Sequence, residues 1–519
     1  MNELNDMPVQ QKLAACSLIR ILVLACLPCC LFAQPIQKPN VIFIYADDVG
    51  YGDISCNGAT HISTPHIDRI AANGIRFTSA YATSSTCTPS RYGLLTGEYP
   101  WRKKGTGIAA GDAGTIISPD QYTLADLFRD AGYQTAVIGK WHLGLGPASG
   151  PDWNGLIKPG PAELGFKESF IIPATPDRVP CVYVENGRVK NLDPADPITV
   201  SYKQPLYGLP TGKDHPELLK MRYSHGHDQT IINGISRIGY MQGGKSAWWQ
   251  DETMGDELVS HACNFIRQSA AKPFFLYYAI QDIHVPRVPN PRYLGKSGMG
   301  PRGDALLELD DNTGKVLYLL DSLHLTDHTI VIFSSDNGPV LDDGYADMAE
   351  QRLNGHTPAG PMRGGKYSKL EGGTRLPFLI CWPGQIPAHQ VSDALFSQVD
   401  CLASFAALLH QSLPAGAAPD SRALPDVLLG KSRLGRDHLI VQGMQPGLSI
   451  VQGEWKYISP SKGVAYLSDK KIETGSSPLP QLYRLTEDRK EQHNLADQLP
   501  GKVKELAAAL AAIIAGRDQ

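Results

Sequence analysis

Cys87-Thr88-Pro89-Ser90-Arg91 runs on through Tyr92-Gly93-Leu94-Leu95 to Thr96-Gly97. It places a thiol, a rigid turn and a fixed positive charge close together. Pro89 fixes its own φ and suits the first turn of a helix. Arg91 then falls about one turn beyond Cys87. Small hydroxyl residues (Thr83, Ser84, Ser85, Thr86) precede the stretch. Taken alone, it describes a buried free cysteine at a helix start. Other residues suggest more. Asp47, Asp48, Asp336 and Asn337 form an all-oxygen set, the donor type that hard divalent cations prefer. Arg91, Lys140, His142, His284 and Lys366 supply cations and proton donors. Lys366 lies in Arg363-Gly364-Gly365-Lys366, where glycines let backbone approach a ligand closely. The spacing is not that of a Walker A loop. Together these residues describe a metal-assisted site for a tetrahedral oxyanion ester, with histidines handling protons.

The residues are far apart in sequence, so the fold must gather them. Asn40 to Ala46 is a continuous apolar run rich in β-branched and aromatic residues, the pattern of a strand buried on both faces. It ends in Asp47-Asp48. Ile67 to Asn73 reads as helix, with Gly74 as its stop. Helix Leu124 to Ala131 precedes strand Thr135 to Ile138, which ends in Gly139-Lys140-Trp141-His142. Helix Asp256 to Ala270 precedes strand Phe274 to Ala279, which ends in Gln281-Asp282-Ile283-His284. Helix Ala305 to Leu323 precedes strand Thr329 to Phe333, which ends in Asp336-Asn337-Gly338. Repeated helix-then-strand units predict an α/β fold with a large, mostly parallel sheet flanked by helices. Ligands in such sheets bind outside the carboxyl ends of the strands. Four strand ends carrying charged or imidazole groups therefore point to one crevice.

Between Leu164 and Gln250 the pattern loosens, and the segment reads as an insertion lining the pocket. After the Pro/Ala/Gly-rich stretch near Leu413 to Pro425, short strands at His438 to Gln442, Leu448 to Gln452 and Trp455 to Ile458 precede a helix from Lys502 to Ile514. They predict a smaller C-terminal α+β domain, a short antiparallel sheet plus helix. The expected organisation is a leader over 1–33, a catalytic α/β domain over 34–430 and the smaller domain over 431–519.

Composition is ordinary for a globular protein, with 42% hydrophobic and 19% charged residues. A net charge of −4 argues against a general nucleic-acid binder. Lys12 and Arg20 precede the apolar run Ile21 to Ala33, which is too short to span a bilayer as a helix. Leu31-Phe32-Ala33 offers a cleavage point. This pattern predicts a cleaved signal peptide and a secreted or periplasmic protein, with an N-terminal anchor or a lipidated Cys26 as alternatives. Four of the ten cysteines lie in the leader. The other six are scattered without a metal-type pair, and a disulfide or two is compatible with export.

Cys87-Thr88-Pro89-Ser90-Arg91 with Leu95-Thr96-Gly97 resembles the signature C-x-P-S-R-x-x-x-L-T-G of the type I, formylglycine-dependent sulfatases. Gly139-Lys140-Trp141-His142-Leu143-Gly144 resembles that family's second signature. Asn40 to Asp48, Asp336-Asn337-Gly338, Arg363 to Pro377 and the stretch from Leu482-Tyr483 to Asn494-Leu495 match in kind and order. The resemblance implies an alkaline-phosphatase-like fold and hydrolysis of sulfate esters. It implies that Cys87 is converted to formylglycine by a formylglycine-generating or anaerobic sulfatase-maturating enzyme. It also implies that Asp47, Asp48, Asp336 and Asn337 bind Ca²⁺, with Mg²⁺ as the alternative, together with the hydrate at position 87. Arg91 would stabilise that hydrate and His142 would assist its hydroxyl. Lys140, His284 and Lys366 would hold the sulfate, and His284 would protonate the leaving oxygen.

Export suggests extracellular sulfated glycans as substrates. Arg222 to Asp228, with Asp177-Arg178, resembles the carbohydrate sulfatases associated with 6-O-sulfated galactose or N-acetylgalactosamine. Asp177, Arg178, His225 and His227 are the candidate sugar contacts, and bracing a loop is their alternative role. Two rival functions share the same residues: a phosphatase, phosphodiester or phosphonate hydrolase on this scaffold, and a non-catalytic glycan-binding protein if Cys87 stays unmodified.

Overall fold

The strand Asn40–Ala46 is fully buried and sits at the centre of a ten-stranded sheet. The structure, a computed structural model, describes residues 38–516. The leader and the lipidation reading at Cys26 lie outside the described residues. Across the sheet the strands run Gln390–Ser392, Gly74–Phe77, Phe378–Cys381, Thr329–Ser335, Asn40–Ala46, Phe274–Ala279, Gln134–Lys140, Glu168–Ile172, Val184–Glu185 and Arg188–Val189. The central five, from Thr329–Ser335 to Glu168–Ile172, are parallel. Their registers place Ala46 beside Ser335 and Gly139 beside Ala279, so the polar residues after each strand emerge at one edge.

Two features of the sheet went unread in the sequence. Glu168–Ile172, inside the segment expected to be an irregular insertion, is the fifth parallel strand. It is short and begins Glu-Ser, which hides its apolar end. On the far side Phe378–Cys381 runs antiparallel to both neighbours, Thr329–Ser335 and Gly74–Phe77, so Gly74–Phe77 points the same way as the central five. Helices Pro65–Ala72, Met254–Ser269 and Gly300–Ser322 pack together on the sheet. Helices Cys87–Thr96, Leu124–Asp130 and Cys401–Leu408 form a second group. Among the described residues, Cys56, Cys87, Cys181, Cys263, Cys381 and Cys401 are all free thiols.

A separate antiparallel sheet follows, in the order His438–Gln442, Leu448–Gln452, Trp455–Ile458, Gln481–Arg484. Alternation along the first strand sorts its side chains. Ile440 packs with Leu506, Leu510 and Ile513 of helix Pro500–Ile514. Leu439 and Val441 turn the other way, onto Tyr81 and Leu370. A buried charge knot fastens this sheet to the glycine-rich loop. Lys456 Nζ lies 2.9 Å from both Glu371 and Glu491, and Arg375 pairs with Glu371 at 3.0 Å. Removing one member of a buried ion pair leaves an uncompensated charge. Lys456→Met is therefore expected to destabilise the protein by about 3–5 kcal/mol. The check is a lowered urea midpoint at unchanged slope; a midpoint that does not move would refute the role of the knot.

Candidate active site

Cys87 opens helix Cys87–Thr96, with Thr86 as its N-cap, and every residue of that helix is buried. The exposed N–H groups of a helix start favour negative charge. Arg91, one turn on, is held by Asp336, whose Oδ2 accepts from Nε at 3.0 Å and from Nη2 at 2.8 Å. Arg91 Nη1 also donates to the Lys140 carbonyl at 3.1 Å. Lys140 Nζ reaches Asp47 at 2.6 Å. Lys366 Nζ lies between Asp48 at 2.9 Å and Asp343 at 3.0 Å. Asn337 Nδ2 donates to Asp48 Oδ1 at 2.7 Å. The four strand ends therefore meet, as their sequence positions predicted.

Backbone geometry reinforces this convergence. Gly139 has φ 109, and a Cβ there would lie 1.9 Å from the Ala279 carbonyl oxygen, so only glycine lets these two strands close. Asp48, His142 and Tyr367 adopt positive φ of 61, 55 and 77. A bulky aromatic residue in that region is uncommon and held there by its surroundings.

The charges act on one another across the site. Burial raises the Asp336 carboxyl, but Arg91, Lys140 and Lys366 outweigh it and hold it at about 2. Burial pushes Asp47 well above the usual carboxylate range, with Asp336 adding and Lys140 opposing. Burial also pushes the Cys87 thiol up, against Lys140 and Lys366. His142 is pulled well down by burial and by Lys140. Its Nε2 donates to the Ala109 carbonyl at 3.0 Å, and its buried Nδ1 has no partner. His284 is pulled to about 4 by burial and Lys366. Its Nδ1 donates to the Val285 carbonyl at 2.7 Å, which leaves Nε2 facing Asp48 at 3.9 Å.

The donor set suits a hard cation. Asp47 Oδ1 and Asn337 Oδ1 are buried oxygens without a hydrogen-bond partner. Ligand atoms of Asp47, Asp48 and His284 lie within 4.8 Å of one another. The sequence places His284 in the same crevice as these carboxylates, as a sulfate-holding and proton-transfer group; a place among possible cation ligands was not part of that reading.

A cavity of about 210 Å³ reaches the site at Cys87, His284 and Lys366 and is lined further by Asp177, Arg178 and His227, among others. Asp177 ties the sugar-side candidates together, pairing with Arg178 at 3.0 Å and His227 Nε2 at 3.0 Å. Burial alone would raise Asp177, but Arg178 and His227 hold it well below the usual carboxylate range. His225 is not part of the lining. It turns outward to Asp342 and Asp469, 3.7 Å from each, and to Lys470 at 3.2 Å. Its carbonyl instead accepts from His227 Nδ1 at 2.8 Å.

The cavity also has walls that sequence reasoning missed: Ile108, Ile238, Asp343, Tyr367, Met444 and Lys470. Asp343 follows Asp336 on the same loop, and Tyr367 directly follows Lys366. Proximity to those motifs was the only available signal. Met444 and Lys470 come from the C-terminal region and carry none.

A nucleophile position at a helix start, an oxygen-rich cation site and a ring of fixed cations define a hydrolase of tetrahedral oxyanion esters. The sulfatase family model matches residues 39–411. An N-acetylgalactosamine-6-O-sulfatase of Bacteroides thetaiotaomicron is 55% identical, covering 92% of this chain and 94% of the relative. Human arylsulfatase A is 32% identical over 91% of this chain and 86% of its own. A solved structure from work on glycosaminoglycan metabolism by Bacteroides thetaiotaomicron superposes with a TM-score of 0.91 at 55% identity. It covers 92% of this chain and 100% of its own. This chain belongs to the sulfatase family and is a sulfuric ester hydrolase. Sulfatases generally use a formylglycine and a divalent metal.

Proposed function

We propose that this chain removes the 6-O-sulfate of N-acetylgalactosamine or galactose in extracellular glycans. The observation that carries the reading is the single cavity in which Cys87, Lys366 and His284 meet the Asp177–Arg178–His227 cluster. The bacterial relative, 55% identical over nearly the whole chain, supports the sugar. The leader pattern supports a secreted or periplasmic location, where such glycans are met.

Asp47, Asp48, Asp336 and Asn337 would hold Ca²⁺, or Mg²⁺ in its place, against position 87. The ion would offset the charge of the sulfate and favour the ionised hydroxyl that attacks it. A formylglycine at position 87 would supply that hydroxyl and, through its second one, a route for releasing sulfate. Modification would require a maturation enzyme as partner. Around that position Arg91, fixed by Asp336, orients and stabilises the hydroxyl pair. His142 accepts a proton at its free Nδ1. Lys140 and Lys366 bind the sulfate oxygens. His284 rests neutral with its hydrogen on Nδ1, so its Nε2 first takes a proton from solvent and then delivers it to the departing sugar oxygen. Asp177, Arg178 and His227 present hydrogen-bond groups to the sugar ring.

The test is release of free sulfate from desalted sulfated mono- and disaccharides by the matured protein, with matched phosphate esters alongside. The expected result is turnover of 6-O-sulfated N-acetylgalactosamine or galactose well above 2-O- and 4-O-sulfated isomers. A preference for another position would refute the sugar assignment, and a preference for phosphate would favour the phosphatase reading.

A further inference from the structure

We propose that the chain carries a second cation site, behind the loop that holds His284 and separate from the oxygen set at Asp47 and Asp48. A small cavity of about 20 Å³ lies there, lined by Gln281, Asp282 and Glu308, among others. That volume accommodates one water-sized particle. All three side chains are more than nine-tenths buried. Asp282 Oδ2 and Gln281 Oε1 have no hydrogen-bond partner. Asp282 Oδ1 accepts only from Gln281 Nε2, at 3.0 Å. Glu308 Oε2 accepts from the Asn290 N–H at 2.9 Å.

Among the described residues, neither Asp282 nor Glu308 forms an ion pair. The nearby cations are committed elsewhere. Arg287, on the same wall, donates to Asp347 at 2.7 Å and to the carbonyls of Ile283, Val340 and Leu341. Arg292 and Lys315 are both bound to Asp256. Two buried carboxylates without a counter-ion are costly, and unpaired acceptor oxygens beside them add to the cost. A hard divalent cation answers both needs at once: two carboxylates and an amide oxygen are its preferred donors. Such an ion would also brace the active site. His284 N–H donates to the Gln281 carbonyl at 2.9 Å, and Ile283 N–H to the Asp47 carbonyl at 3.1 Å. A cation on Gln281 and Asp282 would thus fix the loop from behind.

Equilibrium dialysis of the purified full chain against Ca²⁺, with metal analysis, tests the site. Wild type is expected to bind two Ca²⁺ per chain. Asp282→Asn, Glu308→Gln and, at the catalytic set, Asp336→Asn are each expected to bind one. One Ca²⁺ in wild type with none in Asp336→Asn would overturn the second site and leave the proposed function standing. One in wild type and in Asp336→Asn, with none in Asp282→Asn, would support the second site and remove the catalytic one. Two retained in both Asp282→Asn and Glu308→Gln would also overturn the proposal. Should Asp282→Asn fail to fold, Glu308→Gln carries the test: one Ca²⁺ supports the site and two refute it.

Discussion

Cys87→Ala should lower sulfate release by roughly 10⁵-fold or more, the scale seen when a covalent nucleophile is removed. The folded protein should remain. Cys87 opens a helix, and losing one buried sulfur there is expected to cost about 1 kcal/mol. The cavity walls on the sugar side lie on other segments, so glycan binding should persist. The comparison needs kinetics and a binding isotherm on one preparation. Turnover near that of wild type would refute the covalent role. Lost binding together with a lowered melting temperature would mean that the variant had misfolded. Cys87→Ser sharpens the result. A serine can form an ester but lacks the second hydroxyl, so a sulfated chain should accumulate and be visible by mass spectrometry after a single turnover.

His284→Asn should separate substrates by leaving group. A sugar alkoxide is a poor leaving group and needs a proton as the bond breaks, so loss of the acid should cost roughly 10²–10⁴-fold in kcat. A nitrophenolate leaves without help, and its sulfate ester should slow by no more than about tenfold. His284 stands 2% exposed at the side chain, with Nε2 toward the Asp48 side of the cavity. If instead it only helps hold the cation, both substrates should slow equally. Equal losses would therefore remove the acid role.

Much of the site was legible because its chemistry sits at strand ends. Asp47, Asp48, Lys140, His142, His284, Asp336 and Asn337 each follow an apolar run whose parallel pairing brings its end to one edge. The core of the fold was legible for the same reason, since strands buried on both faces read as continuous apolar runs. Short strands were not. Glu168–Ile172 and Gln481–Arg484 mix charged and apolar residues, and only pairing with a neighbour makes them strands. Contacts that depend on tertiary placement were equally silent. His225 and His227 are two residues apart and look equivalent in sequence. In the structure one is pulled outward by Asp342 and Asp469, and the other inward by Asp177. Asp343 holds Lys366 and accepts from the Tyr367 hydroxyl at 2.8 Å, a role that no motif announces.

Met444 and Lys470 wall a cavity whose nucleophile position, Cys87, lies more than 350 residues earlier in the chain. That geometry has a consequence in time. A ribosome adding roughly 5–20 residues per second exposes Cys87 for tens of seconds before Lys470 exists. Throughout that interval the cavity lacks a wall, and the knot at Glu371 has neither Lys456 nor Glu491. In the finished protein Cys87 is 2% exposed, out of reach of another protein's active site. Under the proposed conversion of Cys87, a maturation enzyme would therefore have a window set by synthesis and folding, which shuts as the last strands of the C-terminal sheet pair.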